Sequence, residues 1–138
     1  MNATVIDCEI IPLRKIKSSS GNLVVIQGRQ DIPFDIKRIY YINDVPEKGD
    51  RGSHAHKNLT QFIVATEGVF TLVLDDGKSK RNILLSKEGD CWGVLIKPGI
   101  WRILEGFSKG AVCLVLASAD YDENDYIRNY DEFLKFKL

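Results

Sequence analysis

Short apolar runs, broken by turn residues, recur along most of this chain. Thr4-Val5-Ile6-Asp7-Cys8-Glu9-Ile10-Ile11-Pro12-Leu13 is rich in β-forming side chains and predicts one or two short strands. Ser18-Ser19-Ser20-Gly21-Asn22 predicts a turn, and Leu23-Val24-Val25-Ile26-Gln27 a strand after it. Ile32-Pro33-Phe34 interrupts the pattern. The branched and aromatic residues of Ile36-Lys37-Arg38-Ile39-Tyr40-Tyr41-Ile42 then predict another strand, followed by a polar loop from Asn43 to Gly52. Runs from Gln61 to Thr66 and from Val69 to Leu74 flank a tight Glu67-Gly68 turn. Asp75-Asp76-Gly77 is a hairpin signal leading into Lys80 to Leu85. Cys91 to Ile96, Ile100 to Leu104 and Ala111 to Ala117 complete the series. Many short strands at this spacing predict an all-β sandwich or barrel.

The period changes after Asp120. Tyr126, Tyr130, Phe133 and Leu134 fall on one helical face, with acids ahead of them and lysines behind, as a helix dipole favours. A C-terminal helix over about 122–136 is expected, with Asp122 as its N-cap. The simplest role for its apolar stripe is packing on the barrel or on a partner subunit. No linker, low-complexity run or second domain is visible, so one domain over 1–138 is expected.

Composition narrows the class of function. Nineteen Lys and Arg balance nineteen Asp and Glu, which argues against nonspecific nucleic-acid binding through a basic surface. No apolar run approaches a membrane span, and Met1-Asn2-Ala3-Thr4 does not begin a signal peptide, so a cytoplasmic protein with no membrane partner is expected. Cys8, Cys91 and Cys113 are scattered, without a CxxC pair, and read as small buried hydrophobes.

The chemistry concentrates in Arg51-Gly52-Ser53-His54-Ala55-His56-Lys57, which holds both histidines of the chain. On a strand, residues two apart point to the same face, so the two imidazoles are expected to share one space. Such a pair can bind a metal or move protons. A third reading is that both are strand histidines bonded to neighbours.

Extended, the stretch becomes His-x-His-x4-Gln-x6-Gly, ending at Gly68, and is similar to the first signature of the cupins, small jelly-roll barrels. Metal-binding cupins usually carry Glu where this chain has Gln61, and a further His shortly after a Pro-Gly element. Here that element reads Lys97-Pro98-Gly99-Ile100-Trp101-Arg102. Two imidazoles and an amide beside the permanent cation of Arg102 make a poor cation site, since catalytic zinc or iron generally takes three protein ligands. General acid–base work without metal is the stronger alternative. One neutral imidazole can take a proton from a carbon beside a ketone and the other can relay it, while Arg102, Arg51 or Gln61 stabilises the enediolate.

A closer resemblance covers about Gly21 to Phe133. Ile36 to Ile42, Arg51-Gly52-Ser53-His54-Ala55-His56-Lys57, Gln61, Leu74-Asp75-Asp76-Gly77, Trp101, Leu114 to Ser118 and the Tyr121-Asp122-Glu123-Asn124-Asp125-Tyr126-Ile127-Arg128 tail resemble the sugar nucleotide 3,4-ketoisomerases, WxcM-like cupins. The resemblance implies a jelly-roll homodimer with exchanged N-terminal strands, no metal or other cofactor, and dTDP-4-keto-6-deoxyglucose as substrate. The keto group would move from sugar carbon 4 to carbon 3, for 3-amino-3,6-dideoxy sugars of surface polysaccharides. The family's paired histidines fall on His54 and His56. His54 is expected as the base at carbon 3 and His56 as its relay, although both lie on one strand and the sequence does not order them. Arg51 is expected on the diphosphate. Trp101 is expected to wall the sugar pocket, and Arg38 and Tyr40, on one strand face, to reach substrate, with Tyr41 facing away. Many relatives have Arg before the glycine where this chain has Ser20-Gly21, and His after the tryptophan where it has Arg102. Trp-Arg resembles the branch leaving the gluco configuration at carbon 4. The rival readings are a non-catalytic sugar-nucleotide-binding cupin, a metal-dependent cupin oxygenase or isomerase, and a dTDP-sugar 3,5-epimerase.

Overall fold

In the computed structural model residues 3–138 are described. Met1 and Asn2, the first half of the stretch expected not to begin a signal peptide, lie outside the described residues. The strands are β1 (Ile10–Pro12), β2 (Arg14–Ser18), β3 (Gly21–Val25), β4 (Arg38–Ile42), β5 (Arg51–His56), β6 (Gln61–Glu67), β7 (Val69–Asp75), β8 (Lys80–Ser86), β9 (Trp92–Ile96), β10 (Trp101–Glu105), β11 (Val112–Ala117) and β12 (Tyr126–Ile127), followed by helix α1 (Tyr130–Lys137). Two five-stranded sheets form, in the orders β1-β9-β6-β11-β4 and β12-β5-β10-β7-β8, with antiparallel neighbours throughout. The main core lies between them and draws Ile63, Val94 and Val115 from the first and Phe70, Leu72, Leu74 and Leu104 from the second. This is the expected jelly roll of the cupin type. Its sheets do not close into a hydrogen-bonded barrel, because the edge strands β1 and β12 hold only three and two residues and leave little backbone to bridge the gap.

Alternation on the strands creates two further apolar layers. On β6, Ile63 and Ala65 turn to the main core, whereas Phe62 and Val64 turn outward under Leu13, Ile32 and Phe34. On the second sheet, Ala55 and Trp101 turn outward and are covered by Ile127 and Phe133.

Three expectations change. The N-terminal stretch begins with a 3-10 turn at Val5–Asp7, where Asp7 accepts from the Thr4 amide at 2.7 Å, and only Ile10–Pro12 pairs as a strand. Strand β2 was hidden in the sequence because Arg-Lys-Ile-Lys-Ser is exposed along its whole length and shows no apolar alternation. The helix expected over 122–136 begins only at Tyr130. Glu123–Asp125 form one 3-10 turn, and Tyr126 and Ile127 pair with His56 and Ala55 of β5. Backbone pairing to a sheet edge thus outcompetes helix there, and Asn129, whose side chain accepts from the Glu132 amide, is the N-cap of α1. Asp122 caps only the 3-10 turn, and Tyr126 leaves the face shared by Tyr130, Phe133 and Leu134.

Candidate active site

The histidine stretch forms β5, and its alternation sends His54 and His56 to the interior while Ala55 faces α1. Both imidazoles are buried, with their Nε2 atoms 3.1 Å apart and their rings edge to face. Opposite His54 on β10 stands Arg102, which is 1% exposed. Its Nη2 lies 3.2 Å from His54 Nε2 and donates to the Tyr40 hydroxyl at 3.2 Å. Gln61, from the first sheet, donates to the same hydroxyl at 3.0 Å. Tyr40 Oη therefore receives two donors, leaving its own hydrogen for another acceptor.

Room for Arg102 comes from Gly52. The β5–β10 register shifts beside it, and its φ of +71° suits glycine. A Cβ there would stand 3.0 Å from Arg102 Nη1.

The tail closes the other side. Asp125 Oδ2 sits 2.9 Å from His56 Nδ1, and the carboxylate also accepts from the amides of Asn58 at 2.7 Å and Leu59 at 3.3 Å. Tyr126 packs against both imidazoles, with centroids 4.9 Å from His54 and 4.4 Å from His56. Arg128 lies 4.2 Å over the Tyr126 ring and pairs with Glu123 at 2.6 Å. Arg38 lies between the rings of Tyr40 and Tyr121, and its Nε and Nη2 are buried without a protein partner.

These side chains line a cleft of about 460 Å³, with His54 and Arg102 facing it and Arg38, Arg51, Tyr121, Tyr126 and Arg128 around it. Arg51 is exposed at its edge. Burial pushes His54 down to about 2, helped by the positive charge of Arg102 and by His56. Burial also pushes His56 down to about 4, against the opposing effect of its hydrogen bond to the Asp125 carboxylate. Both imidazoles are neutral near pH 7.

Of the residues singled out in sequence, His54, His56, Arg102, Tyr40, Gln61, Arg38 and Arg51 converge here. Tyr41 faces away, as expected. Trp101 does not join them: it occupies the other face of β10 from Arg102, packing edge-on to Tyr130 and against Phe133. Consecutive strand residues point in opposite directions, so Arg102 and Trp101 cannot both face the cleft. Asp125, Tyr126 and Arg128 went unassigned in sequence because the tail was expected to be helix. Asp125 is 69 residues from His56, and only the fold brings them together. Among the described residues no three His, Cys, Asp or Glu side chains are arranged to hold a metal, and the Arg102 guanidinium sits where a cation would approach His54.

A jelly roll whose interior carries paired neutral imidazoles, a bridged tyrosine and a buried arginine is a cupin-type site equipped for proton transfer. The chain belongs to the FdtA family, WxcM-like, C-terminal, whose model matches residues 6–138. It is 43% identical, over 93% of its length and 91% of the relative's, to a TDP-4-oxo-6-deoxy-α-D-glucose-3,4-oxoisomerase of Aneurinibacillus thermoaerophilus. A crystal structure of a His-to-Asn mutant of the 3,4-ketoisomerase QdtA from Thermoanaerobacterium thermosaccharolyticum, in complex with TDP-4-keto-6-deoxyglucose, matches with a TM-score of 0.92 at 38% identity, over 97% of this chain and 96% of that one. The TDP-quinovose 3,4-ketoisomerase WlaRB of Campylobacter jejuni matches with a TM-score of 0.88 at 43% identity, over 95% and 99%.

Proposed function

We propose that this chain is a cytoplasmic sugar nucleotide 3,4-ketoisomerase, converting dTDP-4-keto-6-deoxyglucose to a dTDP-3-keto-6-deoxyhexose with the gluco configuration at carbon 4. The observation that carries the reading is the pair of neutral imidazoles, 3.1 Å apart, beside the Tyr40 hydroxyl and the Arg102 guanidinium. His54, which lines the cleft, takes the proton from carbon 3, and His56 behind it shares the charge. The electrons of the broken C–H bond form the enediolate, which Arg102 stabilises as a preorganised cation. Tyr40, with its hydrogen free, exchanges a proton with the sugar oxygens as the carbonyl moves. Arg51 and Arg38 supply charge-assisted donors for the diphosphate and sugar. Gln61 acts through Tyr40, and Trp101 serves as an anchor for α1. A relative's His-to-Asn mutant, crystallised in complex with TDP-4-keto-6-deoxyglucose, supports the substrate. Arg102, where other relatives have His, and 43% identity to a TDP-quinovose isomerase support the gluco product, quinovose being 6-deoxyglucose.

The working unit is a homodimer of single-domain subunits that exchange N-terminal strands. Strands β2 and β3 pair only with each other, and Ile16 and Leu23 are more than half exposed, an apolar surface that a second copy would cover.

Incubation with dTDP-4-keto-6-deoxyglucose, followed by NMR of the product, tests the reading. A 3-keto sugar is expected. Unchanged substrate, or exchange at carbon 5, overturns it in favour of a binding protein or an epimerase. His54→Asn and His56→Asn are each expected to lower turnover by about 100-fold or more.

A further inference from the structure

A hydrogen must lie between the two Nε2 atoms, since two bare lone pairs at 3.1 Å would repel. Which nitrogen owns it is decided one step further back. The Asp125 carboxylate accepts from two backbone amides and stands 2.9 Å from His56 Nδ1, so the His56 proton belongs on Nδ1. A neutral His56 then presents a lone pair at Nε2, and the shared hydrogen belongs to His54 Nε2. That leaves His54 Nδ1 without a proton. This nitrogen has no protein hydrogen-bond partner and is not among the buried unpartnered atoms, so it is open to the cleft that His54 lines.

We propose that Asp125 is the positioning residue that sets the tautomers of both histidines, making His54 Nδ1 the basic nitrogen of the site. The inference rests on the isomerase reading above and gives its proton path. When His54 Nδ1 takes the carbon-3 proton, the hydrogen on His54 Nε2 passes to His56 Nε2. One N–H bond forms at each ring as the C–H bond and the old N–H bond break. The positive charge comes to rest on His56, beside the Asp125 carboxylate, and the reverse transfer delivers a proton to carbon 4.

Arg102 supplies the competing arrangement. Its Nη2, 3.2 Å from His54 Nε2, would donate there if that atom were bare. His56 would then have to carry its proton on Nε2 and turn a lone pair toward Asp125, an electrostatically repulsive contact. The shorter, doubly anchored carboxylate contact prevails, and Arg102 Nη2 keeps one of its two hydrogens on Tyr40. The lowered pKa values of both rings agree with a chain of two neutral imidazoles.

Nitrogen-15 NMR of histidine-labelled protein at neutral pH tests this without reference to turnover. The expected wild-type spectrum has His56 protonated on Nδ1 and His54 on Nε2. In Asp125→Asn the amide oxygen keeps a backbone amide while the amide nitrogen donates to His56 Nδ1, so both tautomers should reverse. Turnover should then fall by about 100-fold or more, with KM moving less than about threefold. A wild-type His56 protonated on Nε2 overturns the proposal, and this spectrum decides even if the variant fails to fold. Full turnover in Asp125→Asn, or lost turnover with unchanged tautomers, also overturns it. If the predicted tautomers appear in a chain that leaves the keto sugar unchanged, the substrate reading fails and the tautomer assignment stands.

Discussion

His54 and His56 have each lost most of their water to the surrounding sheets, and a guanidinium faces the first of them. Both effects oppose the charged ring, so folded-state pKa values fall from 6.5 to about 2 and about 4. The native state therefore holds fewer protons than the unfolded chain below about pH 6.5. Stability contributed by the neutral rings is complete above that pH and is lost as pH falls toward 4, at about 1.4 kcal/mol per pH unit for each histidine. Thermal melting between pH 7 and pH 5 should show the midpoint falling, and His56→Asn should flatten the slope. Gly52 poses a second question at this scale. Alanine there strains a positive φ and presses on Arg102 Nη1. Gly52→Ala is expected to displace the guanidinium and cut turnover by about 10-fold or more, while TDP binding, read by calorimetry, persists.

Alternation along single strands decides which residues become chemistry and which become structure. On β10, Arg102 enters the chamber and Trp101 meets α1, although the two adjoin in sequence. Helix α1 is held through Phe133, which is fully buried against Trp101, and through the Tyr130 hydroxyl on Asp75 at 2.7 Å. Phe133→Ala should cost about 3–5 kcal/mol in denaturant unfolding. Trp101→Phe should lower the melting temperature and leave KM unchanged; a raised KM would return Trp101 to the sugar pocket. Nine of the twelve strands follow runs visible in the sequence, since β-branched and aromatic residues advertise a half-buried pleat. Strand β2 was not visible, because its partner is only the equally exposed β3. The tail departs from the expected helix because its helical period is realised only from Tyr130 onward, while the pairing of Tyr126 with His56 is a long-range event.

For the molecule as a whole, the β2–β3 hairpin stands off both main sheets and carries Ile16 and Leu23 into solvent. A hairpin with that composition is marginal alone and gains stability from a covering surface. If the proposed dimer forms through this hairpin, the unaltered chain should sediment as a dimer and the double variant Ile16→Glu and Leu23→Lys as a monomer. An unaltered chain that sediments as a monomer would refute the exchanged-strand assembly.

Local pattern alone determined the strand-rich fold, the placing of both imidazoles on one face, and the pairing of Arg38 with Tyr40. These follow from a two-residue period that needs no distant partner. Which side of β10 meets the cleft, which carboxylate stands behind His56, and how strongly the rings resist protonation were decided only by the tertiary structure. Each depends on groups brought together across tens of residues, and on the removal of water that happens only when the two sheets meet.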